Sequence, residues 1–110
     1  MAKHDPHLDR LFHALSDPTR RSFVERLMVG PLSVTELAAP TGMALPTVMR
    51  HLAVLEETGL VESEKSGRTR ICRVSPAPLS RAGTWIEDQR RIWEARLDRL
   101  EDYLATLPKD

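Results

Sequence analysis

A single cysteine, Cys72, is all the thiol chemistry this chain contains. One thiol makes no intramolecular disulfide and no cysteine-rich zinc site, so the expected compartment is the reducing cytoplasm. An excess of charge of one sign is also missing: sixteen lysines and arginines offset sixteen aspartates and glutamates. Joined to 41% hydrophobic residues, that balance excludes the disordered class, which combines low hydrophobicity with high net charge. It also weighs mildly against a nucleic-acid partner, because such domains are often basic. No apolar run approaches the roughly 18 residues of a membrane span, and the opening MAKHDPHLDR has no apolar centre of the kind a secretory leader needs. The marks of common enzymes are absent as well: no G-x-G-x-x-G, Walker loop, H-E-x-x-H or G-x-S-x-G. Neither enzyme activity nor a cofactor is expected. The length fits one domain, 1–110, with a small core that a dimer interface would help.

What is present begins with helix signals. Leu8, Leu11, Phe12 and Leu15 share one helical face, after a stretch of about 1–7 expected to be flexible. Asp17-Pro18 reads as an N-cap followed by proline at the first helical position, with Phe23, Val24 and Leu27 as the apolar stripe of a second helix ending before Gly30-Pro31. Ser33-Val34-Thr35-Glu36 is a capping box opening a short third helix, which Pro40 and Gly42 stop. Pro46 suits the first turn of a fourth helix, with Val48, Leu52 and Leu55 inward and Gly59 closing it. The period then drops to two over Val61–Lys65 and Arg70–Val74, with Ser66-Gly67 as the hairpin turn. From Lys65 to Arg73 there are four basic residues and no acid, so a neutral chain still carries a local basic stripe.

The last segment, about 78–107, reads as the longest helix. Its seam is Ile86, Trp93, Leu97, Leu100, Leu104 and Leu107, spaced four, three, four, three from Trp93 onward. At 1.5 Å per residue such a helix is about 45 Å long, more than so small a domain covers. An uncovered seam calls for a partner, and a second copy is the simplest.

Helix, helix, short helix, turn, helix, hairpin, long helix is the order of a winged helix-turn-helix: mainly α, with a small β-hairpin wing. Its fourth helix is of a size to enter the major groove of double-stranded DNA. With Val48 inward, Pro46, Met49, Arg50 and Ala53 point outward, and Arg50 alone among them is charged. Arg50 can meet guanine O6 and N7 or a phosphate; the plain alternative is a solvated surface charge. Thr47, at the flank, can meet phosphate or a thymine methyl.

ALSDPTRRSFVERL, SVTELA, LPTVMRHLAVLEETGLVE and the SGRTRICRV hairpin, in that order, resemble the ArsR/SmtB-type bacterial transcriptional repressors. The tail WIEDQRRIWEARLDRLEDYL is similar to the C-terminal helix of a branch lacking the metal ligands. The resemblance spans roughly residues 8–107. It implies a homodimer paired through the first and last helices, which would place Leu8, Leu11, Phe12, Ile86, Trp93, Leu97, Leu100 and Leu104 in the interface. It implies a repressor of an inverted-repeat operator, its own promoter among the candidates. DNA contacts would fall to Thr47, Met49, Arg50 and His51 on the recognition helix and to Arg68 and Arg70 on the wing. Ser33 and Thr35, at the third helix start, would touch phosphate. For His51 the plainer reading is packing at the edge of the helix-turn-helix with a backbone hydrogen bond. The family usually has serine where Ala44 and Met49 stand, and a basic residue where Ala53 stands. With zero net charge, those departures motivate a competing reading: a protein-interaction module that has lost specific DNA reading.

No metal site is expected. Of the sites known in the wider family, one needs a cysteine pair on the third helix, where this chain has TELAAP. Another needs Asp and His on the last helix, which here has Asp88, Glu94, Asp98, Glu101 and Asp102 but no histidine. Those carboxylates are expected to pair with interleaved arginines, Glu87 with Arg91 for instance. His4-x-x-His7 and His13 could hold a metal only adventitiously. Cys72 reads as a small core-facing residue rather than a reactive thiol. Trp85 and Trp93 read as dimer-core residues, the sharper option being an apolar effector cavity; no effector is named by the sequence.

Overall fold

Local caps start the first two helices. The computed structural model describes residues 5–108. In it, the Asp5 carboxylate accepts the His7 and Leu8 N–H groups, and Pro6 opens helix α1, Pro6–Leu15. Of the stretch expected to be flexible, Pro6 and His7 thus lie within α1; His4 lies outside the described residues, and the His4–His7 pair with it. Asp17 accepts the Arg20 N–H at 3.0 Å and Pro18 opens α2, Pro18–Val29. The Arg20 N–H and the neighbouring positive charge hold the Asp17 carboxyl below its ordinary range. A carboxyl lowered by folding contributes stability above its ordinary pKa and loses it as pH falls through the lowered one. Asp17→Ala should therefore cost about 1 kcal/mol at neutral pH, and the gap to the parent protein should close on acidification below pH ~4. Urea titrations across pH check this; a gap that persists at low pH would contradict it.

The capping box is complete. Ser33 Oγ accepts the Glu36 N–H at 3.0 Å, and Glu36 accepts the Ser33 N–H at 2.9 Å. It starts the five-residue α3, Val34–Ala38, continued by a 3-10 turn over Ala39–Thr41. Gly42, at φ 68°, makes the left-handed corner into α4, Leu45–Glu57. The outward face expected of α4 is observed: Pro46, Met49, Arg50 and Ala53 are exposed, while Val48, Leu52 and Leu55 are buried.

Strands β1 (Leu32–Ser33), β2 (Val61–Ser66) and β3 (Thr69–Val74) form an antiparallel sheet in the order β1-β3-β2. Strand β1, two residues long, carries no period of its own and was not foreseen; it pairs Leu32 with Cys72 and Ser33 with Ile71. The hairpin turn lies one residue later than Ser66-Gly67. Ser66 faces Thr69, so Gly67 and Arg68 are the two turn residues. Gly67 alone has positive φ, as a II′ turn requires at its first central position. That register puts Arg68 at the tip.

The core joins α1 through Leu11 and Ala14, α2 through Phe23, Val24 and Leu27, α3 through Leu37, and α4 through Val48, Leu52 and Leu55, with Leu60, Val61 and Cys72 beneath the sheet. Leu11 needs a correction: 2% exposed, it packs in the protomer core and offers no surface to a second chain. Its neighbour Phe12 is on the surface, edge-on to Trp85 at 5.9 Å.

Helix α5, Ala77–Thr106, lends the core only Ala82 and, in part, Leu79. Every described residue from Gly83 onward is exposed. The molecule measures 76 × 28 × 21 Å because α5 runs out beyond the body. Its surface pairs differ from the expected Glu87–Arg91: Arg91 binds Asp88 at 2.7 Å, and Arg90 lies between Glu94 at 3.1 Å and Glu87 at 4.0 Å. Both i,i+3 and i,i+4 partners are near neighbours on a helix, and here Arg91 takes the nearer carboxylate. No helix among the described residues is long and apolar enough to cross a membrane.

Candidate nucleic-acid interface

Three separate elements meet at one open cleft. Val34 and Thr35 come from the start of α3, Leu45 and Met49 from the first turns of α4, and Arg68, Thr69 and Arg70 from the wing. Its volume is about 200 Å³. Four of the residues singled out from sequence, Thr35, Met49, Arg68 and Arg70, thus lie together although up to 35 positions separate them in the chain. Strand β1 is what makes this possible. Bonded to β3, it fixes the start of α3 beside the wing.

Arg50 is exposed on the same face of α4, outside the cleft. Its Nε makes a long contact with the Pro46 carbonyl, 3.4 Å, and the rest of the guanidinium has no partner among the described residues. Arg68, at the hairpin tip, has no hydrogen bond or ion pair among the described residues. Arg70 is held instead: its Nη1 donates to Ser63 Oγ at 2.9 Å, and Ser63 donates to the Glu56 carboxylate at the end of α4. That chain ties the wing to the helix it flanks. The basic stripe is not one patch. Arg73 lies with Glu62, Ser63 and Glu64 in a different cleft.

Ser33, Thr47 and His51 are placed differently from the cleft residues. Ser33 is buried, its hydroxyl oxygen occupied in the capping box. Thr47 is half-buried at the flank of α4. His51 is half-buried too. Its Nδ1 lies 3.2 Å from an Arg20 nitrogen and 3.9 Å from Asp17, and its ring stands edge-on to Phe23 at 6.4 Å. The hydrogen-bond partner is thus a side chain rather than the backbone. At the N-terminus of α4, Ala44 makes no side-chain cap.

Sequence reasoning did not foresee Arg20 as a structural residue. Its Nε donates to the Ala14 carbonyl at 2.7 Å and its Nη2 to the His13 carbonyl at 3.2 Å, closing the end of α1 while Nη1 reaches His51. Arg26 does the same for α3, donating to the Leu37 and Glu36 carbonyls, both at 2.8 Å. These cations satisfy carbonyls that helix ends leave without partners. Zero net charge is therefore a poor guide to the surface: several arginines are held by helix-end carbonyls or paired on α5, while Arg68 in the cleft and Arg50 beside it have no ion pair among the described residues. Leu45 was also missed. It falls about 60° from the inward direction of α4, but at the first residue of the helix no preceding turn covers it, and it is half exposed. Cys72 is fully buried; burial, and the Glu56 charge after it, push its thiol pKa up, which suits a core residue and a poor nucleophile.

Comparison with known proteins agrees with this geometry. A family profile described as a helix-turn-helix domain matches residues 15–64. The HTH-type transcriptional regulator Rv2034 of Mycobacterium tuberculosis is 40% identical over 89 residues, covering 81% of this chain and 80% of its own. The arsenical resistance operon repressor of Escherichia coli is 32% identical over 97 residues, covering 87% of this chain and 83% of its own. Among solved structures, an ArsR family transcriptional regulator superposes with a TM-score of 0.80 at 41% identity, covering 86% of this chain and 97% of that one. A wing hydrogen-bonded to the start of the short helix, a recognition helix exposed along one face, and these likenesses over most of the chain converge: it belongs to the ArsR family of winged helix-turn-helix transcriptional regulators.

Proposed function

We propose that the chain is a cytoplasmic, homodimeric repressor that blocks a promoter by binding an inverted repeat, its own promoter included. One unit, residues 1–110, supplies both the DNA-reading body and the dimerisation helix. The observation that carries the reading is the convergence of Thr35, Met49, Arg68 and Arg70 on one open cleft beside Arg50, which is exposed and has no ion pair among the described residues. In it α4 enters the major groove, Arg50 takes a base edge or phosphate, and Arg68 and Arg70 follow the backbone. Thr35 and Thr47 meet phosphate at the flanks. Ser33 and His51 act by holding α3 and α4 in place, with any phosphate contact secondary. The exposed seam of α5 and the exposed Phe12, with Leu8 half-buried against the core beside them, support a second copy as their cover, which would set two recognition helices on one face.

Fluorescence anisotropy with duplex DNA from upstream of the gene, at two salt concentrations and against a scrambled duplex, tests this. Tight, salt-sensitive binding that prefers the native duplex is expected, since phosphate contacts release counterions. Weak binding, equal for both duplexes, would favour a protein partner for this fold. Arg50→Ala should weaken specific binding by about 1–3 kcal/mol and relax preference at its base position. Unchanged affinity and preference would remove Arg50 from the interface.

A further inference from the structure

We infer that Leu45 and Met49 read thymine methyl groups, so that each operator half-site presents thymines opposite the first turns of α4. The inference rests on α4 being the helix that enters the groove. Leu45 is 49% exposed and Met49 43%, both on the open side of α4 and both lining the cleft. Among the exposed residues of α4 from Leu45 to Ala53, Leu45, Pro46, Met49 and Ala53 offer no side-chain hydrogen bond and Arg50 alone does; the exposed Glu56 and Glu57 stand at the far end of the helix. A surface of that kind cannot satisfy most base edges. In the major groove guanine shows two acceptors, cytosine a donor and adenine one of each, and only thymine shows a carbon group, its 5-methyl. An apolar side chain laid on a polar edge strips water from it and returns no hydrogen bond. Laid on a methyl, it buries apolar surface on both sides.

The spacing fits. Leu45 and Met49 are four residues apart, on one face and about 6 Å apart along the helix axis. Base steps rise about 3.4 Å, so the two side chains span no more than two steps. Val34 extends the apolar wall, while Thr35, Arg68 and Arg70 form its polar rim, suited to the backbone on either side. A half-site with two thymines within two steps, next to the guanine or phosphate taken by Arg50, matches this arrangement.

The test begins with a pool of duplexes randomised at the centre and selected on the full-length protein. The enriched sequence is then made with thymine and, position by position, with uracil, which removes only the 5-methyl. The expected result is a half-site with thymines at that spacing, about fourfold weaker binding for each contacted thymine replaced, and loss of the difference in Leu45→Ala and Met49→Ala, each at its own position. Both side chains are exposed, so those variants keep the fold. An enriched sequence whose thymine and uracil forms bind alike overturns the methyl reading and leaves DNA recognition standing. A uracil effect that survives in both variants assigns the methyl contact to other residues and overturns it too. No enriched sequence at all overturns both this inference and the DNA-reading function beneath it.

Discussion

Leu100→Glu should keep the proposed dimer from forming and, with it, weaken binding to the proposed inverted repeat by about 10²- to 10⁴-fold, the factor lost when two linked half-site contacts become one. Leu100 lies within the exposed run Ile86, Trp93, Leu97, Leu100, Leu104 on α5. Ion pairs to Asp88, Glu87 and Glu94 lie beside this run, and Arg96 stacks 5.9 Å from the Trp93 ring. A carboxylate at Leu100 would be buried by a second copy among apolar seam residues, at a cost of several kcal/mol that Arg96, four residues away and stacked on Trp93, offsets only in part. Folding of the protomer should be untouched, because no residue of α5 beyond Ala82 belongs to its core. Sedimentation equilibrium reads the mass, circular dichroism the helix content. A variant that stays dimeric with full DNA affinity would place the dimer contact elsewhere.

Phe23→Ala should lose about 3–5 kcal/mol of unfolding free energy, the usual range for emptying a buried aromatic site. Phe23 is fully buried, and its ring edge meets His51 on α4. The cavity would therefore open beneath the recognition helix. Against a typical total of about 5–15 kcal/mol, that loss is large. DNA binding should fall with it, since His51, which meets Arg20, loses the ring it stands against. Denaturant titration at matched protomer concentration measures the first effect, because dimerisation adds a concentration-dependent term. A loss below about 1 kcal/mol would show that neighbouring side chains collapse into the space. Phe23→Leu, which keeps most of the volume, should cost much less.

Features written in short stretches were legible before the fold was seen. Asp17-Pro18 and Ser33-x-x-Glu36 are complete within four residues, and each cap forms as read. The 3.6-residue period of α4 names its buried side from Val48, Leu52 and Leu55 alone. The family likeness was legible for the same reason: its motifs are local and come in one order. Features that depend on distant partners were not. Leu11 and Phe12 are adjacent and equally apolar, and only the packing of α2 and α4 around α1 sends one to the core and the other to Trp85. The turn slipped by one residue because pairing of Ser66 with Thr69 sets it, not the Ser-Gly pair. Arg91 chose Asp88 over Glu87 because three- and four-residue spacings compete on equal terms.

The site divides along the same line. Helical periodicity marked Arg50 and Met49 as outward and the run of charge marked a basic hairpin, while the family resemblance named Met49, Arg68 and Arg70 as contacts. The sequence by itself thus determined the helices, their caps, the hairpin and the long uncovered seam. Which cations are left without an internal partner among the described residues was decided by tertiary structure. Arg20 and Arg26 are held by helix-end carbonyls that come within their reach only when α1, α2 and α3 dock, and Arg73 falls among Glu62 and Glu64 through strand register. The cleft itself needs β1 bonded to β3, a contact between residues about forty apart that no local pattern encodes. Local hydrogen bonds and periodicity act over a few residues and are readable one at a time; the surface proposed to meet DNA is a sum of long-range contacts, and exists only once they are made together.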